Sequence, residues 1–382
     1  MINVMIVGCG AIAPAHIEGY LNFPERVKIV ALADRDGARA RSLTKRYELE
    51  AEIVEDYRSA LSKVDAVSVC TPPGLHRDIA VDALCAGCHV LLEKPMAPSL
   101  KECDEILTAA REYNRLISVV VQSRFVSSVR NTIDMVREGG YGKNYYARVN
   151  SVWYRGQSYY DLDWRGRWEV EGGGCTQNHS IHHIDLLLWA KGMPESIRSM
   201  ALNLNHLNSE EEDFSSSVLR YENGSVAEIT SSLISHGEPQ SLHFQMEDAG
   251  LDVPFQAYAS KVRENGFPIP DEEKQAQIEA DYERRPVLSY ENHGGQILNF
   301  LKAVAGEEVL LADGQDGRNC IELITGIYKS AFTEREVNFP IREDDIYYGS
   351  EWRKSAVHFH EKEKDVAGFS DMTITDFKDK YK

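Results

Sequence analysis

The feature that most constrains the fold is a strict alternation of short apolar runs with helical stretches over residues 3–121. The first apolar run, residues 3–7, leads into a turn of sequence Gly-Cys-Gly-Ala-Ile-Ala and then into a helical stretch. Strands and helices that alternate in this way predict an α/β fold with a parallel, doubly wound sheet. Further strand-like runs, each preceded by a helical stretch, lie at residues 27–33, 65–70, 89–92 and 117–121.

The glycine-rich turn after the first strand indicates what this sheet binds. Gly8 and Gly10 allow a tight turn and the close approach of a pyrophosphate, which the following helix N-terminus can hold with its free N–H groups. Asp34, at the end of the second strand, is placed to accept hydrogen bonds from an adenosine ribose and to repel a 2′-phosphate. We therefore predict a bound dinucleotide. Because Arg35 could hold a 2′-phosphate, NADP remains the alternative to the preferred NAD.

Length and charge limit the class of protein. A chain of 382 residues favours two domains, and its net charge of −18 argues against a partner such as nucleic acid or an anionic membrane, which needs a basic surface. No apolar run approaches the ~20 residues of a membrane span, and the N-terminus lacks the basic stretch of a signal peptide. We predict a small-molecule ligand.

Cysteine usage favours a reducing compartment. The chain has seven cysteines, an odd number, scattered over its length, which predicts the cytoplasm rather than a disulfide framework. Cys85 and Cys88 have the CxxC spacing, but no second pair accompanies them, and we interpret them as incidental small residues near a helix end.

A second concentration of polar side chains lies at residues 171–189, here called the histidine run. Three glycines are followed by an amide, three histidines and an aspartate. In a continuous helix Asn178 and His182 would share one face, and His179 and His183 a neighbouring one. Polar groups at this density beside an apolar stretch predict a functional site.

The same side chains leave a metal site as an alternative. Imidazoles four residues apart on a helix are suitable zinc ligands. The glutamate of the HExxH motif is missing, however, and successive positions on a helix point in different directions. We therefore predict no metal. The alternative ligand set is His179, His182, His183 and Asp185.

Several motifs, taken together, resemble one known family. In chain order they are Gly8-x-Gly10-x-x-Ala13, Thr71-Pro72-Pro73-x-x-His76, Ala86-Gly87-x-His89-Val90-Leu91-x-Glu93-Lys94-Pro95, Arg124-Phe125, Gly172-Gly173-Gly174 and His182-x-x-Asp185. In this combination the chain resembles the Gfo/Idh/MocA oxidoreductases, the family of glucose-fructose oxidoreductase and inositol dehydrogenase. The resemblance extends over about residues 1–340.

The resemblance implies a domain organisation. A Rossmann domain with a doubly wound parallel sheet would be followed by an α/β domain with an open, mostly antiparallel sheet, through which the chain would form a homo-oligomer. Accordingly, we predict a dinucleotide-binding domain at 1–123, a substrate and oligomerisation domain at 124–350, and a C-terminal extension at 351–382.

The predicted cofactor site combines the glycine turn with the strand ends. In a doubly wound sheet the ligand lies beyond the carboxyl ends of the strands, where Asp34, Thr71, Lys94 and Gln122 fall. With the motifs of the family, the predicted cofactor-binding residues are Gly8, Gly10, Ala11, Ile12, Asp34, Arg35, Thr71, Pro72, His76, Glu93, Lys94 and Gln122.

The resemblance also implies catalytic residues. The lysine of Glu-Lys-Pro and the histidine of the second motif map onto Lys94 and His182. The family usually has an aspartate four residues before that histidine, where this chain has Asn178. An amide forms hydrogen bonds but does not exchange a proton near neutral pH, so this departure puts the usual acid–base relay in doubt.

The implied activity is the NAD-dependent, reversible oxidation of a ring hydroxyl, with inositol dehydrogenase and a non-catalytic dinucleotide-binding sensor as alternatives. The aromatic segment, residues 152–168, and Asn178 resemble family members that oxidise glycosides at C3, including the oxidising components of bacterial C-glycoside deglycosylation. The aromatic rings of residues 152–168 could equally form a carbohydrate wall or an ordinary core. Predicted substrate-binding residues are Arg124, Trp153, Tyr154, Arg155, Asp163, Gln177, His179 and His183.

Overall fold

A computed structural model describes residues 1–369 and divides them into two compact units. Unit 1 comprises residues 1–126 and 288–321, and unit 2 comprises residues 127–287 and the chain from 322 onward. Residues 370–382, which end the predicted C-terminal extension, lie outside the described residues. No helix within the described residues has both the length and the apolar character needed to cross a membrane.

Unit 1 contains the predicted doubly wound sheet. Its six strands all pair in parallel, in the order β3-β2-β1-β4-β5-β6. The strands are β1 (Ile2–Val7), β2 (Val27–Ala33), β3 (Glu52–Val54), β4 (Ala66–Val69), β5 (His89–Leu92) and β6 (Ile117–Val119). The helices are α1 (Ala13–Leu21), α2 (Gly37–Arg46), α3 (His76–Cys85) and α4 (Leu100–Glu112). The predicted Rossmann fold is therefore confirmed.

Unit 2 contains an eight-stranded mixed sheet in the order β13-β12-β11-β7-β10-β9-β8-β16. Only β7 and β10 pair in parallel, which confirms the predicted mostly antiparallel sheet. Its strands are β7 (Asn144–Val152), β8 (Ser196–Leu202), β9 (Phe214–Arg220), β10 (Val226–Ser232), β11 (Ser241–Met246), β12 (Gly250–Val253), β13 (Gln256–Tyr258) and β16 (Val337–Asn338). A separate hairpin pairs β14 (Ser260–Val262) with β15 (Pro268–Pro270).

The remaining helices are α5 (Ser127–Glu138), α6 (Cys175–Asn178), α7 (Ile181–Lys191), α8 (Glu272–Glu283), α9 (Asn292–Val304) and α10 (Gly314–Thr333). Helix α9 lies within the predicted second domain, 124–350, but belongs to unit 1 in the structure. Apolar residues of α9, including Ile297 and Phe300, join the core that contains Ile17 of α1. The buried Gln296 also accepts a hydrogen bond from the Val121 amide and donates one to the Val119 carbonyl at the end of β6. Long-range packing thus returns this helix to the first sheet.

Candidate active site

Unit 1 has a cavity of about 580 Å³ beyond the carboxyl ends of β1, β2 and β4. Eight of the predicted cofactor-binding residues line this cavity, which places the glycine turn and the second strand end at one site. These eight are Gly8, Gly10, Ala11, Ile12, Asp34, Arg35, Thr71 and Pro72.

The glycine turn requires a residue without a side chain at position 8 and is held by hydrogen bonds to Asp34. Gly8 has φ +94°, and a Cβ atom there would lie 2.7 Å from the Cys70 carbonyl, so a side chain is excluded. Asp34 holds the turn, because its carboxylate accepts hydrogen bonds from the Cys9 and Asp36 amides, each at 2.8 Å. At Gly10, by contrast, no atom of the described chain lies within 4 Å of the Cβ position.

Buried polar atoms at the strand ends fit a bound dinucleotide. The Thr71 hydroxyl and the Gln122 side-chain carbonyl are both buried without a hydrogen-bond partner within residues 1–369. Such atoms are rare unless a ligand or water satisfies them. Together with the open space at Gly10, they show a site that has donors and acceptors available for a cofactor.

The side chain of His76 connects two loops next to this site. Its ring is fully buried and lies 2.8 Å from the Thr71 carbonyl and 2.9 Å from the Pro95 carbonyl. His76 therefore joins the loop after β4 to the loop after β5, which carries Lys94. Burial lowers the pKa of His76. Its prediction as a direct cofactor ligand stays a prediction.

Glu93 holds the backbone of Lys94. One carboxylate oxygen accepts the Lys94 amide at 3.1 Å, and the other lies 3.0 Å from His16 Nε2 and 3.7 Å from His293 Nε2. Burial acts to raise the pKa of Glu93, but the hydrogen bond from His16 and the nearby ring of His293 outweigh burial and hold this pKa well below its usual range. Glu93 is thus a buried anion beside Lys94.

His16, Glu93 and His293 also have metal-ligand spacing, with their ligating atoms within 4.8 Å of one another. Their hydrogen bonds account for the cluster, because His16 Nε2 faces Glu93 while Nδ1 faces Ser68, whose hydroxyl is bonded to Tyr20. Over residues 1–369 the predicted alternative ligands in the histidine run form no such group.

In unit 2 the histidine run is two helices rather than one. Helix α6 ends at Asn178 and α7 begins at Ile181, with His179 and Ser180 between them. From residue 171 to residue 189, only Asn178, His179 and His182 are not buried. The fold therefore leaves three of the polar side chains of the run partly exposed.

The other polar side chains of the run support the fold. His183 is buried, and its Nδ1 lies 2.7 Å from the Ser151 hydroxyl on β7. Gln177 is buried and donates to the Glu171 carbonyl at 3.3 Å. Both side chains thus have hydrogen-bond partners within unit 2. Their contact with substrate stays a prediction.

Asn178 has a local reason to be an amide. Its Nδ2 donates a hydrogen bond to the Gly173 carbonyl at 2.5 Å. A carboxylate cannot donate to a carbonyl, so the aspartate usual at this position could not make this bond. Asparagine at position 178, where the family usually has aspartate, therefore makes a hydrogen bond to the glycine turn before α6 that an aspartate could not make.

That turn is packed too closely for side chains. A Cβ atom at Gly174 would lie 1.9 Å from the Glu212 carbonyl oxygen, and one at Gly173 would lie 2.3 Å from the Tyr328 hydroxyl. The glycines thus allow the turn to pack against Glu212, which lies just before β9, and against Tyr328 of α10. Both contacts lie within unit 2.

The aromatic segment divides between core and surface. Trp153, Tyr160 and Trp168 are buried, whereas Tyr154 and Trp164 are exposed. Three of these rings therefore belong to the core, and the carbohydrate wall stays a prediction for the exposed part of the segment.

The wall next to the histidine run is built from tilted aromatic rings and an arginine. The ring of His179 lies 5.2 Å from that of Trp153, and its Nε2 lies 3.4 Å from the Tyr159 hydroxyl. The Arg165 guanidinium lies 3.9 Å from the centre of the Tyr159 ring and 4.0 Å from that of Trp164. Such cation–π contacts hold planar side chains in one orientation.

The remaining predicted substrate residues have varied surroundings. Arg155 forms an ion pair with Glu238 at 2.9 Å, and Asp163 is exposed. Arg124, in unit 1, is buried and donates to the Leu311 carbonyl at 2.7 Å and to Asp316 at 3.1 Å. For all three, contact with substrate stays a prediction.

Comparison with known proteins decides the family. The model of the oxidoreductase family with an NAD-binding Rossmann fold matches residues 2–121, and the GFO/IDH/MocA C-terminal domain model matches residues 129–252. The chain belongs to the Gfo/Idh/MocA oxidoreductase family. It is an NAD-binding oxidoreductase, as the resemblance implied.

Relatives of this Gfo/Idh/MocA oxidoreductase span its length. D-glucoside 3-dehydrogenase of Escherichia coli is 23% identical, over 88% of this chain and 97% of the relative. UDP-N-acetylglucosamine 3-dehydrogenase of Acidithiobacillus ferrooxidans is also 23% identical, over 83% and 93%. The WlbA dehydrogenase of Bordetella pertussis, solved with NADH and UDP-GlcNAcA, has a TM-score of 0.75 at 25% identity and covers 89% of this chain and 99% of its own.

An acidic cluster in this family member was missed by the sequence analysis. Glu171, Glu211 and Glu212 are all buried in unit 2. Glu212 accepts hydrogen bonds from the Gly174 and Thr176 amides and from the Tyr328 hydroxyl, so it caps α6 from a distant loop. Burial raises the pKa of Glu212 to about 6.

Glu171 and Glu211 are two buried carboxyls of this cluster. Glu171 accepts hydrogen bonds from Arg165 at 2.8 Å and from the Gly166 amide at 2.7 Å, while Glu211 faces Glu171. Burial and the Glu171 charge raise the pKa of Glu211 well above its usual range, which favours the protonated form of this carboxyl. No local signal could have revealed this pair, because the run 210–213 has the composition of a solvated surface.

Proposed function

We propose that the protein reversibly oxidises a ring hydroxyl of a sugar, glycoside or cyclitol, favouring C3 of a hexose ring, with NAD as the hydride acceptor. The observation that carries this proposal is the surface formed by Asn178, His179 and His182 beside the aromatic segment. The relatives named as 3-dehydrogenases of a glucoside and of a nucleotide sugar support C3. Inositol is the alternative substrate, supported by a partial relative, inositol 2-dehydrogenase of Salmonella paratyphi B, at 26% identity over 48% of this chain.

The proposed mechanism assigns a role to each candidate residue. The bound nicotinamide supplies the hydride-accepting carbon. His182 accepts the hydroxyl proton, since an imidazole titrates near neutral pH. Lys94 stabilises the negative charge that develops on the same oxygen, and Asn178 orients the histidine or the substrate.

The direct test is a substrate screen. Purified protein is incubated with NAD and a panel of hexoses, glycosides and inositols, NADH formation is followed by absorbance, and the product ring is assigned by NMR. A 3-keto product from a hexose or glycoside is expected. Oxidation of inositols alone would favour the alternative substrate, and NADH binding without turnover of any panel member would favour the sensor. Bound NAD in the purified protein would indicate a cofactor retained between turnovers.

The choice of cofactor depends on Asp34. We expect Asp34→Ser to weaken NADH binding by about tenfold or more, because a ribose loses a charged hydrogen-bond acceptor. NADPH binding should improve relative to NADH, since Arg35 and Arg39 remain at the cavity. Fluorescence titration with both cofactors measures this without a substrate. Arg35→Ala is the matched control and should not improve NADPH binding; an unchanged NADH affinity in Asp34→Ser would contradict the assignment of Asp34.

Residue 178 is predicted to tune the base. A carboxylate near His182 would favour the protonated imidazole, so Asn178→Asp is expected to move the acidic limb of the pH–rate profile upward by roughly 1 pH unit. Asn178→Ala, which removes the amide without adding charge, should leave that limb in place. The profile of kcat/KM against pH provides the measurement. If the limb stays where it is in the aspartate variant, residue 178 does not tune the base.

Assembly and location are also proposals. One face of the unit 2 sheet carries exposed apolar side chains, including Met200 on β8 and Val218 on β9, and we propose that a second copy of the chain covers it. Light scattering on the purified protein tests this. All seven cysteines are free and six of them are buried, which agrees with the predicted reducing cytoplasm.

A further inference from the structure

The chain after β16 packs along unit 2 and reaches the aromatic segment. The 3-10 helix Glu351–Ser355 buries Trp352 and Arg353, although it lies within the predicted extension. Residues 351–366, here called the strap, lie beyond the residues that the family models match, which end at 252. The strap is therefore a feature of this chain that the family models do not describe.

The first anchor of the strap holds the glycine turn. Arg353 Nε donates a hydrogen bond to the Gly172 carbonyl at 2.9 Å. Trp352 packs against Trp168 and Tyr328, with ring centres 5.9 Å and 5.8 Å away. Because Gly172 starts the turn that leads into α6, this anchor lies directly before the accessible residues of the histidine run.

The second anchor holds the middle of the aromatic segment, residues 161–163, by backbone pairing. The Val366 amide donates to the Asp161 carbonyl at 2.8 Å, and the Asp163 amide donates to the Val366 carbonyl at 3.1 Å. Residues 162 and 366 thus form a parallel bridge. Between the anchors, Trp168 Nε1 donates to the Val357 carbonyl at 3.1 Å.

The loop that these anchors hold, residues 157–172, needs external support. Residues 157–172 contain one short 3-10 helix, Gln157–Asp161, and no strand of the sheet. Ordering a loop of this length costs conformational entropy that its contacts must offset. The loop carries Tyr159, which contacts His179, and Arg165, which stacks on Tyr159. Its conformation therefore sets the wall beside the accessible histidines.

We propose that the strap positions this wall and thereby sets the affinity for the sugar, with Arg353 as its main positioning residue. The proposal rests on the proposed function for its ligand, a sugar or glycoside, and on the contacts above for its mechanics. Arg353 is a positioning residue and not a catalytic one. It acts through the Gly172 carbonyl and the loop that ends there.

The test compares Arg353→Ala with Lys354→Ala, a matched control at the exposed neighbouring position. Hydrogen exchange of peptides covering residues 157–172 is expected to quicken about tenfold in Arg353→Ala and to stay unchanged in Lys354→Ala. KM for the sugar should rise about tenfold, whereas kcat and NADH affinity should change less than about threefold. Arg353→Lys should restore part of the loss, because it retains a donor.

A second variant covers the case in which Arg353→Ala does not fold. Val366→Pro removes one backbone donor of the second anchor and leaves Trp352 and Arg353 in place. It should also raise exchange within 157–172 while strands β7 to β10 stay protected. Unchanged exchange and KM in both variants would overturn the proposal. If the wild type oxidises no sugar, the proposed function fails, whereas the exchange result still decides whether the strap orders the loop.

Discussion

Replacing His182 by alanine is expected to lower kcat by ~10²–10⁴-fold while leaving NADH affinity unchanged. The physical reason is the loss of the group that accepts the hydroxyl proton as the carbon loses its hydride. Of the histidines on α7, His182 keeps an accessible surface, whereas His183 is buried against Ser151. Steady-state kinetics with the substrate found in the screen, together with NADH fluorescence titration, measure the two quantities.

A matched control separates the loss of a base from a general effect of removing an imidazole. His243 lies on β11 and is bonded to Asp252 at 2.5 Å, so His243→Ala removes a partly buried histidine of the same unit. Its kcat should stay within about threefold of the wild type. A loss of less than about tenfold in His182→Ala would assign the proton transfer to Lys94 instead.

The second large effect concerns stability. Glu171→Gln is expected to lower the free energy of unfolding by about 3–5 kcal/mol, because it leaves the mostly buried Arg165 without its charged partner. Glu211→Gln should cost less than about 1 kcal/mol at pH 6, because an amide replaces a carboxylic acid that already holds a proton. Chemical denaturation of both variants and the wild type gives the comparison.

The pH dependence of stability provides an independent check on the pair. The pKa of Glu211 is raised on folding, so the folded protein binds more protons than the unfolded chain between about pH 4.5 and the folded pKa of this group. This group therefore stabilises the fold at low pH, and that stabilisation is lost as the pH rises through its folded pKa. Glu212 contributes in the same direction up to about pH 6. Above about pH 6 the wild type should therefore lose stability as the pH rises, and Glu211→Gln should lose less. Equal losses in the two proteins would contradict the raised pKa of Glu211.

Much of unit 1 could be predicted because its signals are local. The strand-like runs, the glycine turn and Asp34 each depend on neighbours along the chain, and they reappear at one cavity. The domain assignment of α9 could not be predicted in this way. Its place in unit 1 depends on contacts of Ile297 and Gln296 with residues more than a hundred positions away.

The candidate site in unit 2 also depends partly on local sequence and partly on long-range packing. By itself the sequence determined that residues 171–189 concentrate imidazole and amide groups after a glycine turn, and the family resemblance singled out His182 and Asn178. Only the tertiary structure decided which of these side chains stay accessible, because burial depends on the strands and helices that pack around them.

Long-range packing also holds the histidine run as a whole in place. Its turn is capped by Glu212, from a run that has the composition of an exposed acidic loop, and it is held by Arg353, from a segment first assigned to an extension. Both contacts join residues far apart in the chain. Residue type and spacing determined the chemistry available to this protein, and long-range packing decided which groups are positioned to use it.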